Sequence, residues 1–269
     1  MGSRSLAVVA VLILLAAGLG LATAGHVPIA PTAIAPVPSA ISTRLGASPE
    51  PGSTPSPYTF DDEFDGTTLG PAWDRHFSCC GNLAGLDSTL ATVSNGFLSL
   101  AVDHRADGWY ADLIDTKASF TQLYGTFEAR IRIPKGQGLW PAFWSYFSGD
   151  GTNAEIDTME VCGGARDGPP ASVLHTTVFW SPREKQTRLT PTVDLSQDFH
   201  VYAVDWRPDH VTFSLDGTPV WTFTDANHIP QVPLPLILDL GVGGDFCGEP
   251  DATTPNQAEM LVDWVHALP

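Results

Sequence analysis

Length, composition and charge limit what this 269-residue chain can bind. It carries 30 Asp and Glu residues against 13 Lys and Arg residues, which gives a formal net charge of −17 at pH 7. So acidic a chain repels nucleic acid and anionic polymers, including sulfated and uronic polysaccharides, and a neutral polymer is therefore the easier partner.

The first 24 residues contain the three parts of a secretory signal peptide. Arg4 precedes an apolar run at residues 6–21, and Ala22-Thr23-Ala24 supplies small residues for cleavage before Gly25. An uncleaved membrane anchor is the alternative, because the run approaches the roughly 18 to 20 residues that span a bilayer. We expect cleavage and secretion, with no membrane attachment of the mature chain and with a cell-wall association left open.

Composition separates a linker from a folded domain. Residues 25–57 are rich in Pro, Ala, Ser and Thr, with Arg44 and Glu50 as their charged residues. This segment cannot bury a core, so we expect a flexible, disordered linker. Residues 58–269 contain all eight Trp residues and have the length of one sizeable domain.

Apolar and polar residues alternate in short runs between Gly, Pro, Asn and Asp clusters, and long amphipathic helical patterns are absent. The runs occupy residues 97–102, 125–133, 173–180, 199–206, 211–215 and 236–242. A period of two is typical of strands with one buried face. The pattern therefore predicts an all-β sandwich.

Three acids lie close together in the segment 153–163: Glu155, Asp157 and Glu160. In a regular strand Glu155 and Asp157 face one way, whereas Glu160, five residues after Glu155, faces the other way. A β-bulge at Thr158-Met159 would bring all three acids to one face. We expect such a bulge here.

The bulge would also place Met159 and Val161 in the core. Cleavage of a glycosidic bond needs an acid that protonates the leaving oxygen and a base or nucleophile on the other side of the sugar. Repulsion between neighbouring carboxylates would push their pKa values apart and give them different roles. A solvated acidic strand face and a calcium site are the alternatives.

Aromatic and polar side chains near these acids predict a sugar-binding surface. Trp140 and Trp144 lie four residues apart, hence on one side of a strand, and flat indole rings stack on sugar rings. Packing in the core is the alternative for both. Glu128 and Arg130 alternate with apolar neighbours and would either hold sugar hydroxyls or pair with each other. His175 is a further candidate, with a structural role as the alternative.

The four cysteines agree with export: Cys79, Cys80, Cys162 and Cys247. They lack the spacing of a zinc site, so we expect two disulfides, with free thiols as the alternative. Because the neighbours Cys79 and Cys80 rarely bond each other, each should pair with Cys162 or Cys247. Cys162 should share the face of Glu160, so its disulfide would anchor a loop at the rim of the site.

Six segments make the domain resemble glycoside hydrolase family 16, the laminarinase-like enzymes. They are FDDEFDG at 60–66, YGTFEAR at 124–130, GLWPAFW at 138–144, EIDTME at 155–160, DFHVYAVDW at 198–206 and MLVDWV at 260–265. The ExDxxE spacing is the most specific mark of this family, and GLWPAFW stands at the expected distance before it.

The resemblance implies a jelly-roll β-sandwich of two curved antiparallel sheets, of the concanavalin A-like type, with the substrate across the concave face. It implies a retaining reaction in which Glu155 is the nucleophile, Glu160 is the acid/base and Asp157 tunes the nucleophile. No cofactor is expected for catalysis.

The resemblance also implies a structural Ca²⁺ bound by Glu63, the carbonyl of Gly96 and Asp263. Oxygen ligands from both ends of the domain would hold its termini together.

Two residues depart from the family pattern. Phe179 stands where laminarinases usually place a His beside the acid/base, and Asp239 replaces a frequent Asn.

We therefore expect a secreted, monomeric endo-hydrolase of a neutral β-linked polysaccharide, with β-1,3-glucan as the expected substrate. The residue at position 179 weakens the assignment to β-1,3-glucan. A galactan hydrolase or a transglycosylase on the same scaffold is one alternative. An inactive, lectin-like sugar-binding domain is another, which the complete set of acids disfavours.

Overall fold

A computed structural model of the chain describes residues 56–75, 84–181 and 184–269. The expected signal peptide at 1–24 lies outside these ranges, as does the expected linker at 25–57 apart from its last two residues. Both segments stay predictions, and so does their boundary with the domain. In the part of the chain that is described, no helix is long and apolar enough to cross a membrane.

Strands dominate the described residues. In chain order they are β1 (Phe60–Asp62), β2 (Gly85–Leu86), β3 (Ala91–Ser94), β4 (Phe97–Arg105), β5 (Gly108–Ala111), β6 (Leu113–Asp115), β7 (Gly125–Arg132), β8 (Leu139–Gly149), β9 (Thr152–Glu160), β10 (Val173–Ser181), β11 (Glu184–Pro191), β12 (His200–Trp206), β13 (Val211–Leu215), β14 (Thr218–Phe223), β15 (Ile237–Val242) and β16 (Gln257–Leu268). The helical elements are a 3-10 helix at Ser88–Leu90 and α1 (Gly244–Cys247).

The strands form two sheets. The larger has the order β14-β13-β12-β7-β16-β4-β5-β2, with β1 beside β16 and β3 beside β4, and the smaller has the order β11-β10-β9-β8-β15-β6. Neighbouring strands run antiparallel, except that the short β2 is parallel to β5. The prediction of an all-β sandwich of antiparallel sheets is confirmed.

A hydrophobic core joins the two sheets. On β7, Phe127, Ala129 and Ile131 are buried, while the residues between them are only half-buried. Phe143 and Ile156 of the smaller sheet belong to the same buried cluster. Each large apolar side chain buried in this way contributes about 1.5–3 kcal/mol, so the sheet that carries the acids rests on a well-packed support.

A tight hairpin fixes the register of the strand that carries the acids. Asp150 (φ 50°) and Gly151 (φ 77°) join β8 to β9, and both adopt the left-handed conformation. An Asp-Gly pair with two positive φ angles is typical of the two-residue type I′ turn, whose twist matches that of antiparallel strands. Tyr146 on β8 consequently lies opposite Glu155 on β9.

Variants of Met159 test whether this side of β9 is buried in the core. Met159 and Val161 are fully buried, as predicted. Met159→Ala should lower the free energy of unfolding by about 2–5 kcal/mol because it leaves a cavity, whereas Met159→Leu should cost less than about 1.5 kcal/mol. Urea denaturation of both variants measures this. A cost below about 0.5 kcal/mol for Met159→Ala is typical of a surface position and would contradict the register described here.

Candidate active site

An additional residue in β9 brings the three acids to one face. Between the pairs Thr177–Asp157 and His175–Glu160, three steps along β9 match two steps along β10. The register between β9 and β8 shifts at the same place. Thr158 is the residue without a partner position in either neighbouring strand. The predicted β-bulge is confirmed.

The face of the smaller sheet that carries the acids, which we call the acid face, is organised in rows across β15, β8, β9, β10 and β11. Partners in register share a face, and neighbouring strands lie about 4.8 Å apart. The first row contains Asp239, Ala142, Glu160 and His175; the second contains Ile237, Trp144, Asp157, Thr177 and Thr187; the third contains Tyr146, Glu155, Phe179 and Lys185.

Asp157 lies between the two glutamates and is 3% exposed. Burial raises the pKa of Asp157 well above its usual range, and the charges of Glu160 and Glu155 raise it further. Burial also raises the pKa of Glu155 to about 7, but a hydrogen bond with Asp157 opposes that rise. Asp157 therefore carries the proton of this pair. Its O–H group donates the hydrogen bond to the carboxylate of Glu155.

Glu160 is placed to hold a proton of its own. Burial raises the pKa of Glu160 to about 7; a hydrogen bond from Trp140 opposes the rise and the charge of Glu155 adds to it. Trp140 Nε1 donates this bond to Glu160 Oε1 at 3.0 Å. Both glutamates thus have a pKa of about 7, so near neutral pH the acid face holds protonated as well as ionised carboxyl groups. The pair thus offers a nucleophile and an acid on one face.

A disulfide-anchored segment supports the first row. Cys162, just after β9, bonds to Cys247 at the end of α1. Phe246 of α1 packs on Trp140 with 4.9 Å between ring centroids, and lies edge-on to His175 at 5.2 Å. The expectation that a disulfide at Cys162 anchors a loop at the rim of the site is confirmed.

The expected pairing of the cysteines is wrong. The bond between Cys162 and Cys247 excludes both arrangements that joined each of them to Cys79 or Cys80. Although 85 positions separate the two residues in sequence, their Cα atoms lie 5.2 Å apart, because α1 returns to the end of β9. Cys79 and Cys80 fall outside the described residues.

Trp144 lies on the acid face with Trp140, as predicted, but it is only 5% exposed. Its Nε1 donates to Asp239 Oδ1 at 2.8 Å. Burial raises the pKa of Asp239 to about 7, and this hydrogen bond opposes the rise. Trp144 therefore packs as a buried part of the acid face. Trp140 is more exposed and has more ring surface on which a sugar can stack.

His175 is the imidazole next to Glu160. It pairs in register with Glu160, is 3% exposed, and has its Nε2 at 3.6 Å from Asp167 Oδ2. Burial lowers the pKa of His175, which favours the neutral ring. Phe179 pairs with Glu155, two rows away. The structure therefore places Phe179 beside Glu155 and not beside Glu160, the residue expected to be the acid/base.

Comparison with known proteins decides the family. The family described as glycosyl hydrolases family 16 matches residues 87–266. The chain belongs to this family. It is therefore a glycoside hydrolase, and the resemblance inferred from the six segments is confirmed.

Relatives of this family 16 chain include a glucan endo-1,3-beta-glucosidase from Cryptopygus antarcticus, which is 29% identical over 234 residues. That match covers 70% of this chain and 81% of the relative. Endo-1,3-1,4-beta-glycanase EglC from Rhizobium meliloti (strain 1021) is 29% identical over 225 residues, 82% of this chain. The chain spans only 45% of EglC. The X-ray structure of an endo-beta-1,3-glucanase from Pyrococcus furiosus matches with a TM-score of 0.68 at 28% identity, covering 78% of this chain and 93% of that one. The predicted jelly-roll sandwich is confirmed.

Glu128 and Arg130 do not belong to the acid face of this family 16 enzyme. Both lie on β7, in the larger sheet, on the side turned away from the core. Arg130 Nη1 contacts Asp263 Oδ2 at 2.5 Å, and Glu128 Oε1 lies 3.6 Å from His266 Nδ1. The structure therefore does not bring them together with the three acids, and their role as substrate-binding residues stays a prediction. The alternation of polar and apolar residues along residues 125–133 identified a polar face. It did not show which of the two sheets carries that face.

The calcium ligands expected from the family resemblance are Glu63, Gly96 and Asp263. Glu63 Oε1 lies 2.9 Å from His266 Nε2, and Asp263 is paired with Arg130. Calcium takes about six to eight oxygen ligands, whereas both of these carboxylates face nitrogen atoms. The arrangement does not fit an all-oxygen calcium site. Calcium at these residues stays a prediction.

Four residues around the acids were not predicted as site residues: Asp239, Tyr146, Lys185 and Phe246. Tyr146 continues the alternation of Trp140 and Trp144 and could have been identified from it. Lys185 and Phe246 come from β11 and α1. They reach the site only through pairing between distant segments, which no local pattern reports.

Replacing Glu160 should change how stability depends on pH. Its pKa in the fold, about 7, lies above the ordinary 4.5. The stabilisation that comes from its protonated form is therefore complete below pH 4.5 and is lost as the pH rises through 7. Glu160→Gln cannot ionise. It should exceed the wild type in stability by on the order of 1–3 kcal/mol above neutral pH, and by much less in acid.

Thermal unfolding in acidic and mildly alkaline buffer measures this difference. Glu249→Gln is the matched control, because Glu249 is exposed. The control should show no such dependence on pH. An equal effect of Glu160→Gln in both buffers would contradict the burial of Glu160.

Proposed function

We propose that this family 16 enzyme is a retaining endo-hydrolase of neutral β-glucan, with β-1,3-glucan as its substrate. The observation that carries the proposal is the acid face. There β9 presents Glu155, Asp157 and Glu160 on one face. Burial and hydrogen bonds influence which of these carboxyl groups hold a proton and which are ionised. A single strand thereby supplies both functions that the reaction needs.

The first step forms a glycosyl-enzyme intermediate. The carboxylate of Glu155 attacks the anomeric carbon while Glu160 gives its proton to the glycosidic oxygen, so the bond to the leaving sugar breaks. Trp140 holds one oxygen of Glu160 by its hydrogen bond, which leaves the other oxygen to carry the proton. The charge on Glu155 is consumed as the new bond forms.

The second step releases the product. Glu160, now ionised, takes a proton from water, and the resulting oxygen attacks the anomeric carbon and displaces Glu155. Two inversions restore the β configuration. Asp157 stabilises Glu155 as a leaving carboxylate by the same hydrogen bond that lowers its pKa. No cofactor takes part in either step.

Charge and aromatic surface favour a neutral sugar chain. The formal net charge of −17 repels acidic polysaccharides. Trp140, half-buried beside Glu160, offers a flat ring for stacking, and Tyr146 lies in the row of Glu155. Polar groups on the same rows can bind sugar hydroxyls. We assign the substrate contacts of the site to these residues.

The linkage is inferred from the relatives. The proteins from Cryptopygus antarcticus and Pyrococcus furiosus carry names that specify endo-1,3-beta-glucan cleavage. The Rhizobium meliloti relative is named for endo-1,3-1,4-beta-glycan cleavage, which makes mixed-linkage glucan the second candidate. Laminarin and lichenan distinguish the two.

We also propose that the enzyme acts outside the cell as a monomer. The signal-like segment at residues 1–24 supports export. The disulfide between Cys162 and Cys247 is in keeping with an oxidising compartment. Detection of the mature chain in the culture medium with its N-terminus at Gly25 would support this; retention of the full chain in the cell would contradict it.

Glu155→Gln tests the proposed function. The variant should lose at least about 1000-fold in kcat on laminarin, because an amide cannot form the glycosyl intermediate. Its melting temperature should stay at or above that of the wild type, since a buried charge is removed. Reducing-sugar assays on laminarin, lichenan, galactan and agarose measure the activity, and NMR of the first products should show the β anomer.

The matched control, Glu249→Gln, should keep wild-type activity. Equal activity of Glu155→Gln and the wild type would remove Glu155 as the nucleophile. Cleavage of galactan or agarose without cleavage of either glucan would overturn the substrate assignment, and initial release of the α anomer would overturn the retaining mechanism.

A further inference from the structure

A cluster of Asp61, Glu63 and His266 lies on the outer face of the larger sheet, where β1 runs beside β16. Asp61 pairs in register with His266. Glu63 stands two residues after Asp61 and therefore shares its side. One ligand atom from each of the three residues lies within 4.8 Å of the other two. The three side chains can therefore reach one ion.

The ring of His266 is fixed before any ion binds. It is stacked between Tyr58 and Trp264, with centroid distances of 4.0 and 4.3 Å. Its side chain is 7% exposed. Nε2 points at the two acids, 2.9 Å from Glu63 Oε1 and 3.5 Å from Asp61 Oδ1. A ligand nitrogen held in this way loses little conformational entropy on binding a cation.

A third carboxylate lies behind the other ring nitrogen. His266 Nδ1 is buried without a hydrogen-bond partner, 3.6 Å from Oε1 of its cross-strand neighbour Glu128. Histidines that bind a metal through one nitrogen usually donate the other N–H to a carboxylate, which orients the ring and makes the ligand nitrogen more basic. At 3.6 Å Glu128 forms no hydrogen bond with Nδ1, but it is a carboxylate on the correct side of the ring for that role.

The types of ligand atom indicate which kind of cation this cluster would bind. One imidazole nitrogen and two carboxylates suit Zn²⁺ and similar transition metals, whereas Ca²⁺ binds oxygen ligands only. We propose that Asp61, Glu63 and His266 bind one divalent transition-metal ion and that this ion ties β1 to β16. This set of ligand atoms differs from that of the calcium site expected at Glu63, Gly96 and Asp263, because Glu63 faces an imidazole.

A His266 ring that only pairs with the surrounding acids, with no ion between them, is the competing explanation. Both explanations account for the short contact between Glu63 and His266. Only the metal site requires Asp61 and Glu63 to act on the same ion. Metal titration of the acid variants therefore separates the two.

The experiment uses the full chain, treated with a chelator and then freed of it. Isothermal titration with ZnCl₂ at neutral pH should show one strong site per chain, with tighter binding than for CaCl₂, and Zn²⁺ should raise the melting temperature. Asp61→Asn and Glu63→Gln should each weaken Zn²⁺ binding at least about tenfold and remove most of the thermal shift. Both side chains are partly exposed, so both variants should fold.

His210 provides the matched control. It contacts two carboxylates through opposite ring nitrogens, Asp209 at 2.8 Å from Nδ1 and Asp205 at 3.4 Å from Nε2, so it cannot direct both acids to one ion. His210→Asn should leave Zn²⁺ affinity unchanged. Lack of saturable Zn²⁺ binding, wild-type affinity in both acid variants, loss of binding in His210→Asn, or tighter binding of Ca²⁺ than of Zn²⁺ would each overturn the proposal.

Discussion

The grouping of Glu155, Asp157 and Glu160 on one face depends on one additional residue in β9. Side chains alternate along a strand, so a five-residue spacing would bury Glu160 among apolar side chains, where an unpaired carboxylate costs several kcal/mol. The bulge at Thr158 removes this conflict. Met159 then fills the core, and Glu160 joins Glu155 on the acid face. One backbone irregularity thus satisfies packing and chemistry together.

The burial that raises the pKa values of these acids also makes the acid face a source of instability. Burial disfavours the charged form of every carboxyl group in this group: Glu155, Asp157, Glu160 and Asp239. Indole donors from Trp140 and Trp144 offset part of this cost. The Cys162–Cys247 disulfide closes a long loop and contributes about 2–4 kcal/mol beside the first row. The enzyme therefore maintains an unfavourable cluster of acids on a rigid, cross-linked support.

Sequence patterns predicted what depends on local periodicity, and missed what depends on pairing between distant segments. The five-residue spacing of Glu155 and Glu160 was enough to predict the bulge, and the spacing of Trp140 and Trp144 their common face. Alternation on β7 could not tell which of two sheets receives Arg130. The cysteine pairing, the packing of Phe246 on Trp140 and the pairing of His266 with Glu63 all join segments far apart in sequence. Their positions follow from the sheet order, which the local pattern does not contain.

Covalent trapping of the glycosyl-enzyme intermediate tests most directly whether the bulge assembles a working pair of acids. The enzyme would be incubated with a fluorinated, activated laminaribiosyl donor, digested, and mapped by mass spectrometry. We predict a single sugar adduct on Glu155, formed also in Glu160→Gln because an activated leaving group needs no acid. An adduct on Asp157 or Glu160, or rapid hydrolysis of glucan by an enzyme that forms no adduct, would contradict it.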